Sequence, residues 1–213
     1  PAQGLGAYDF YSRAVSLIYT GQVPSENTAD PPLDAGKSFS EAVDLLNKAV
    51  ARDPNFLLAY CQLAFAYDLI DKTPARLALA KSAIDSAFRL RPDSGEAHLA
   101  LAWHLFWGYS DYDRARAELA LARETLPNNP QVYELAGLMD YKQSRWTDAT
   151  QNLERASEPE PRNLPYLITL GSPYICLQDY DQFTRIMDRI VAYTPDLRPG
   201  RPFPSPAAVP RLP

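Results

Sequence analysis

Gly36-Lys37-Ser38 has the form of the last residues of a phosphate-binding loop. That loop needs another glycine at position 31, where Pro31 stands, and a preceding strand, for which the surrounding pattern leaves no room. A helix start with Ser38 or Ser40 as its cap explains the residues better. His98 and His104 lie six residues apart, off any shared helix face, and no acidic partner stands at ligand spacing. His98 therefore reads as a packing histidine. Cys61 and Cys176 each stand alone inside an apolar helical pattern, which offers neither a disulfide framework nor a CxxC site. They read as small buried residues. Acidic residues are plentiful, but without a cleft no pair can be nominated as acid and base. The expectation is a protein that is not an enzyme, with no catalytic residues, no metal and no cofactor.

A chain of 213 residues that is 46% hydrophobic can bury a substantial core. Its formal charge of −5 gives no basic field for phosphates, which argues against nucleic acid or an anionic membrane as partner. The longest apolar run, Leu57 to Tyr67, falls well short of the roughly 20 residues of a membrane span. A protein or peptide partner fits better. The chain begins at Pro1 with no charged-then-apolar leader, so it reads as a piece of a larger protein.

The elements that must position any site announce themselves by repetition. Pro54, Pro92, Pro127, Pro161 and Pro195 are separated by 38, 35, 34 and 34 residues. In the same register run Ala42, Ala80, Ala115, Ala149 and Phe183; then Leu46, Ile84, Leu119, Leu153 and Met187; then Ala49, Ala87, Ala122, Ala156 and Ile190. Apolar and small residues recur at three- and four-residue steps, so each unit reads as two helices closed by a proline. The first helices carry Tyr60, Leu63, Ala64 and Tyr67; His98, Leu101, Ala102 and Leu105; Tyr133, Ala136, Gly137 and a displaced Tyr141; Leu167, Leu170, Gly171 and Tyr174.

A large residue, then Leu with Gly or Ala, then Tyr, later Ala, Leu, Ala and a closing Pro resembles the tetratricopeptide repeat. The resemblance covers about residues 8 to 195 and implies an all-α, right-handed α-solenoid of about five units: 8–54, 55–92, 93–127, 128–161 and 162–195. The first unit carries an inserted loop over 20–37, with Gly21, Pro24, Pro31, Pro32 and Gly36. The 38-residue interval places about four extra residues near Asp71 to Arg76, in a turn between paired helices. Stretches such as LLNKAVARDPNFLLAYCQLAFAYD are similar to the repeat regions of large bacterial signalling proteins. That likeness implies a cytoplasmic regulatory module whose effector domain would precede Pro1.

In the family the first helices line the concave face. Its geometry, carried over, selects Phe65 and Asp68; Leu99, Trp103, Phe106 and Trp107; Leu138, Tyr141 and Lys142 as a partner-binding groove. The groove is rich in aromatics, and Lys142 is its one cation, which disfavours a clamp for a C-terminal carboxylate. Its rings suit the apolar side chains of an extended peptide or an amphipathic helix.

The fifth unit departs from the pattern. Phe183 replaces alanine, and Pro173 inside the first helix should kink or loosen it. Residues 196–213 are proline-dense and read as extended or disordered, and proline-rich segments suit aromatic grooves, this one included. A solenoid also needs a polar cap at each end. The runner-up expectation is therefore a homodimer or larger assembly through an uncapped C-terminal repeat.

Overall fold

Three of the repeat prolines are followed, two residues later, by a side chain that caps a helix. Ser94 accepts from the Ala97 N–H at 3.3 Å, Asn129 from Gln131 at 2.9 Å and Asn163 from Tyr166 at 3.3 Å. Pro130 and Pro165 occupy first-turn positions, where an N–H has no intrahelical partner to lose.

The protein is described by a computed structural model over residues 2–22 and 35–194. Among these residues there are ten α-helices and no strand: α1 (Ala2–Gln22), α2 (Ala35–Arg52), α3 (Leu57–Ile70), α4 (Pro74–Leu90), α5 (Gly95–His104), α6 (Tyr112–Thr125), α7 (Pro130–Lys142), α8 (Trp146–Ser157), α9 (Leu164–Cys176) and α10 (Tyr180–Tyr193). Consecutive helices pack as pairs and the pairs stack on one another, an all-α solenoid.

The alanine columns are where second helices press on first ones. Ala42, Ala80, Ala115 and Ala149, then Ala49, Ala87, Ala122 and Ala156, expose no surface, and neither do Leu46, Ile84 and Leu153 between them. Gly137 serves the same contact from the other side. A Cβ there would stand 2.6 Å from Leu153 Cγ and 3.1 Å from the Ala149 carbonyl oxygen.

The unequal repeat intervals have helical explanations. The extra residues of the 38-residue interval do not project as a loop. The turn between α3 and α4 is only three residues, and α4 instead begins six residues before Ala80, where α6 and α8 begin three residues before Ala115 and Ala149. The insertion is mostly one added helical turn, opened by the Thr73 cap and Pro74. The 35-residue interval holds one residue more than its successors, and α5 runs into a five-residue π-helical turn, Leu105–Tyr109, which takes up such an extra residue. Beyond it the register returns: Ser110, Ser144 and Gln178, at steps of 34, all hold φ between 54° and 59°. Each begins the step into a second helix. The N–H groups of Arg145 and Asp179 reach back to the carbonyls of Asp140 and Tyr174, while Asp111 must reach one residue further, to Leu105.

Other expectations need correcting. The loop expected over 20–37 is shorter at both ends, because α1 continues to Gln22 and α2 starts at Ala35. Ser38 and Ser40 therefore lie inside α2 rather than at its cap, and the Ser40 hydroxyl donates to the Gly36 carbonyl. Pro173, expected to kink or loosen its helix, lies inside α9, which runs on to Cys176 and closes with the Leu177 N–H on the Pro173 carbonyl. The middle of the expected loop (23–34) and the expected extended tail (196–213) lie outside the described residues.

Candidate binding groove

On the inner side of the stack, α3 and α5 face the middle of α1 and the start of α7. Between them lies a hollow of about 340 Å³. Tyr11 comes from α1, Leu58, Gln62 and Phe65 from α3, Glu96, Leu99 and Trp103 from α5, and Leu126, Asn129 and Gln131 from the step into α7. The floor is apolar and the rim carries amides and one carboxylate. Leu58 is 40% exposed, an aliphatic side chain held open to solvent in a concave place.

The residues selected from the sequence divide into three sets here. Phe65, Leu99 and Trp103 wall the hollow. Leu99 and Trp103 show only an edge, however, each 5% exposed, and Phe106 is 3% exposed. Trp103 lies edge-on to Phe65 at 5.3 Å and to Phe106 at 6.1 Å, and stacks on Trp107 at 6.4 Å with planes 11° apart. Most of this aromatic surface is spent between neighbouring repeats. Asp68 points into the body instead: its carboxylate meets His104 Nδ1 at 2.9 and 3.0 Å, with both side chains almost wholly buried. Burial raises the Asp68 carboxyl, and the His104 bond acts against that. His104 Nε2 and Trp107 Nε1 are buried without partners among the described residues. Leu138 and Tyr141 are half-buried and Lys142 is exposed further along α7. His98 is satisfied, 2.7 Å from the Glu118 carboxylate and edge-on to Phe88.

Sequence reasoning missed Tyr11, because nothing local says that α1 will face the groove. α1 has a second inner contact. The Tyr19 hydroxyl accepts from the Leu164 N–H, 145 positions away, at 3.4 Å. Beside this contact is a second hollow of about 430 Å³ lined by Tyr19, Glu160, Pro161, Arg162 and Asn163. Glu134, one turn along α7 from Gln131, lies within electrostatic reach of Glu160. Burial, then the Glu160 carboxylate, push Glu134 up to about 8, and both carboxylates act on the buried Tyr166 hydroxyl. A further hollow of about 470 Å³, between α1 and α2, is lined largely by Arg13, Glu41, Asp44 and Lys48. Its charges are of both signs, and Leu17 and Leu45 supply its apolar wall.

One position departs from the repeat in kind. Asp140 stands 34 residues before Tyr174, in the column of large first-helix residues, and Tyr141 beside it is not the displaced member it resembled. Asp140 is 4% exposed. It accepts from Arg116 Nη2 at 2.7 Å, from Arg145 Nη2 at 2.6 Å and from Asn152 Nδ2 at 2.8 Å, so one carboxylate ties α6, α7, the following turn and α8 together. Among the described residues no cluster of potential metal ligands occurs, and no helix is long and apolar enough to cross a membrane.

No family model matches the chain, and no curated protein matches it in sequence. Solved structures do match. The type IV pilus biogenesis factor PilW superposes with a TM-score of 0.59 at 17% identity, over 89% of this chain and 78% of that one. Pseudomonas aeruginosa PilF gives 0.57 at 14%, over 91% and 78%, and the thermophilic tetratricopeptide protein TTC0263 of Thermus thermophilus gives 0.52 at 21%, over 66% and 78%. The fold is that of the tetratricopeptide repeat. The closing prolines, the buried alanine columns and the left-handed residues between paired helices are then the parts of a tetratricopeptide array, and Asp140 and the π-helical turn are this chain's own departures from it.

Proposed function

We propose that this array receives an extended peptide or protein segment along its inner face and acts as the recruiting module of a larger regulatory protein. The observation that supports this most is the hollow between α1, α3 and α5. An exposed Leu58 and half-buried Phe65 and Tyr11 offer pockets for apolar side chains, while the amides of Gln62 and Gln131 can both donate to and accept from a peptide backbone. Trp103 supports that wall from behind rather than reaching out. Leu138, Tyr141 and Lys142 continue the same face toward α9. The bacterial, signalling setting follows from the resemblance of the repeat sequences, and a structure of the same fold is described as a type IV pilus biogenesis factor. Nothing in the chemistry of this face calls for a catalytic group.

The test is a selection of random displayed peptides on the immobilised full chain. Selected peptides should bind the Leu58→Glu variant at least about tenfold more weakly, the cost of about 1.4 kcal/mol at an anchor, and bind Leu121→Glu on the outer surface unchanged. Peptides that bind all three alike would dismiss the groove.

A second reading rests on α10, where Tyr180, Val191 and Tyr193 are 43%, 53% and 38% exposed and stack against no further repeat among the described residues. Through this face the chain would pair with a second copy. Sedimentation decides: dimers that Val191→Glu converts to monomers support it, and a monomer at high concentration removes it.

A further inference from the structure

Residues 195–213, PDLRPGRPFPSPAAVPRLP, hold seven prolines, three arginines and a single acid, Asp196, in a chain whose net charge is −5. The described chain delivers this segment to a particular place. The Tyr193 ring lies 5.5 Å from the Arg162 guanidinium, and Arg189 donates to the Pro161 carbonyl at 2.9 Å. Pro161 and Arg162 are walls of the hollow closed by Tyr19. The polypeptide thus leaves Thr194 at the rim of the second hollow, where Glu160 and Arg162 stand.

We infer that this chain's own residues 196–213 fold back through that hollow into the groove, Arg198 and Arg201 meeting Glu160 and Glu134 and Phe203 reaching the wall of Leu58 and Phe65. The inference rests on the groove reading above and names its first occupant, which an incoming partner must displace.

Length, charge and shape agree with it. A proline-rich strand rises about 3.1 Å per residue, so Arg198 is within about 12 Å of Thr194 and Phe203 within about 28 Å. Neighbouring packed helices are about 8–10 Å apart, which puts α3 some 24–30 Å from α9, across α7 and α5. The second hollow presents the Glu160 carboxylate, beside an Arg162 guanidinium held over the Tyr193 ring, to a segment whose formal charge is +2. Burial and mutual repulsion hold Glu134 away from its ordinary ionisation, a cost that an arriving guanidinium removes. A proline-rich strand loses little entropy on docking, and a tethered one meets the groove at an effective concentration in the millimolar range.

The test uses the full chain throughout. A labelled peptide of sequence 196–213 is titrated into the wild type and into a variant with Arg198→Glu, Arg201→Glu and Arg211→Glu. In the variant the groove is vacated, and the peptide binds at least about tenfold more tightly than to wild type, whose own segment competes. Adding Glu134→Lys and Glu160→Lys to that variant removes the gain. Equal affinity for wild type and variant, or no binding to the variant, overturns the inference. So does a wild-type dimer that the arginine changes dissolve, since the segment would then occupy a second copy. The displayed peptides and Leu58→Glu judge the groove independently of this result, so either reading can fall alone.

Discussion

At the scale of single residues, the polar groups inside the array hold repeats in register. Asp140 gathers two guanidiniums and an amide from three elements, so Asp140→Ala leaves Asn152 without its acceptor and Arg116 with Gln143 Oε1 alone. Thermal or urea unfolding should show a loss of roughly 1–3 kcal/mol, while Arg114→Ala, at an exposed pair, should cost well under 1 kcal/mol. The chemical inertness of Cys61 is another residue-scale expectation. Burial pushes its thiol up to about 12, and since the thiolate is the reactive form, the folded protein at pH 8 should leave Cys61 unmodified by iodoacetamide. Labelling followed by peptide mapping should find Cys61 alkylated only in denaturant. The sequence marked Cys61 as a buried residue from its apolar surroundings alone. It gave no sign of Asp140, because one acid in a tyrosine column is interpretable only when Arg116, Arg145 and Asn152 are seen to converge on it.

At the scale of elements, packing and turn geometry make opposite demands on small residues. Gly137 lies mid-helix, where alanine has the better propensity by about 1 kcal/mol, yet the added methyl meets the branch point of Leu153 and a backbone oxygen. Gly137→Ala should therefore destabilise the protein, by about 1–3 kcal/mol in urea melts, against its propensity. In the turns the demand is for a left-handed residue, and Ser144 meets it at φ 59° with a side chain that disfavours it. Ser144→Gly should stabilise by roughly 0.5–1 kcal/mol, read as a rise in melting temperature. The helices and their pairing were legible because proline, small residues and apolar steps recur at fixed intervals. How the irregular intervals would be absorbed was not. Four surplus residues in one unit and one in the next look alike in a sequence, but the first lengthen α4 behind a Thr-Pro cap and the second goes with a π turn. Only the hydrogen bonds distinguish them.

At the scale of the whole molecule, the inner face was legible as a face but not as a surface. Periodicity puts Phe65, Asp68, Leu99, Trp103 and Phe106 on one side of their helices, and the same side serves both partner and neighbouring repeat. The stack consumes Phe106 and Asp68, shows an edge of Trp103 and leaves Leu58 open. Tyr11 and Tyr19 belong to this face only because a 21-residue first helix passes along it, a relation with no local signature. A solenoid in which each unit touches only its neighbours stretches like a spring, its compliance adding unit by unit. The hydroxyl of Tyr19 on Leu164 joins the first helix to the ninth and so acts as a catch across the coils. Pulling the two ends apart should give a small early yield at low force before any repeat unravels. Tyr19→Phe, which keeps the ring and removes the acceptor, should soften that first yield in single-molecule extension and leave the later steps unchanged.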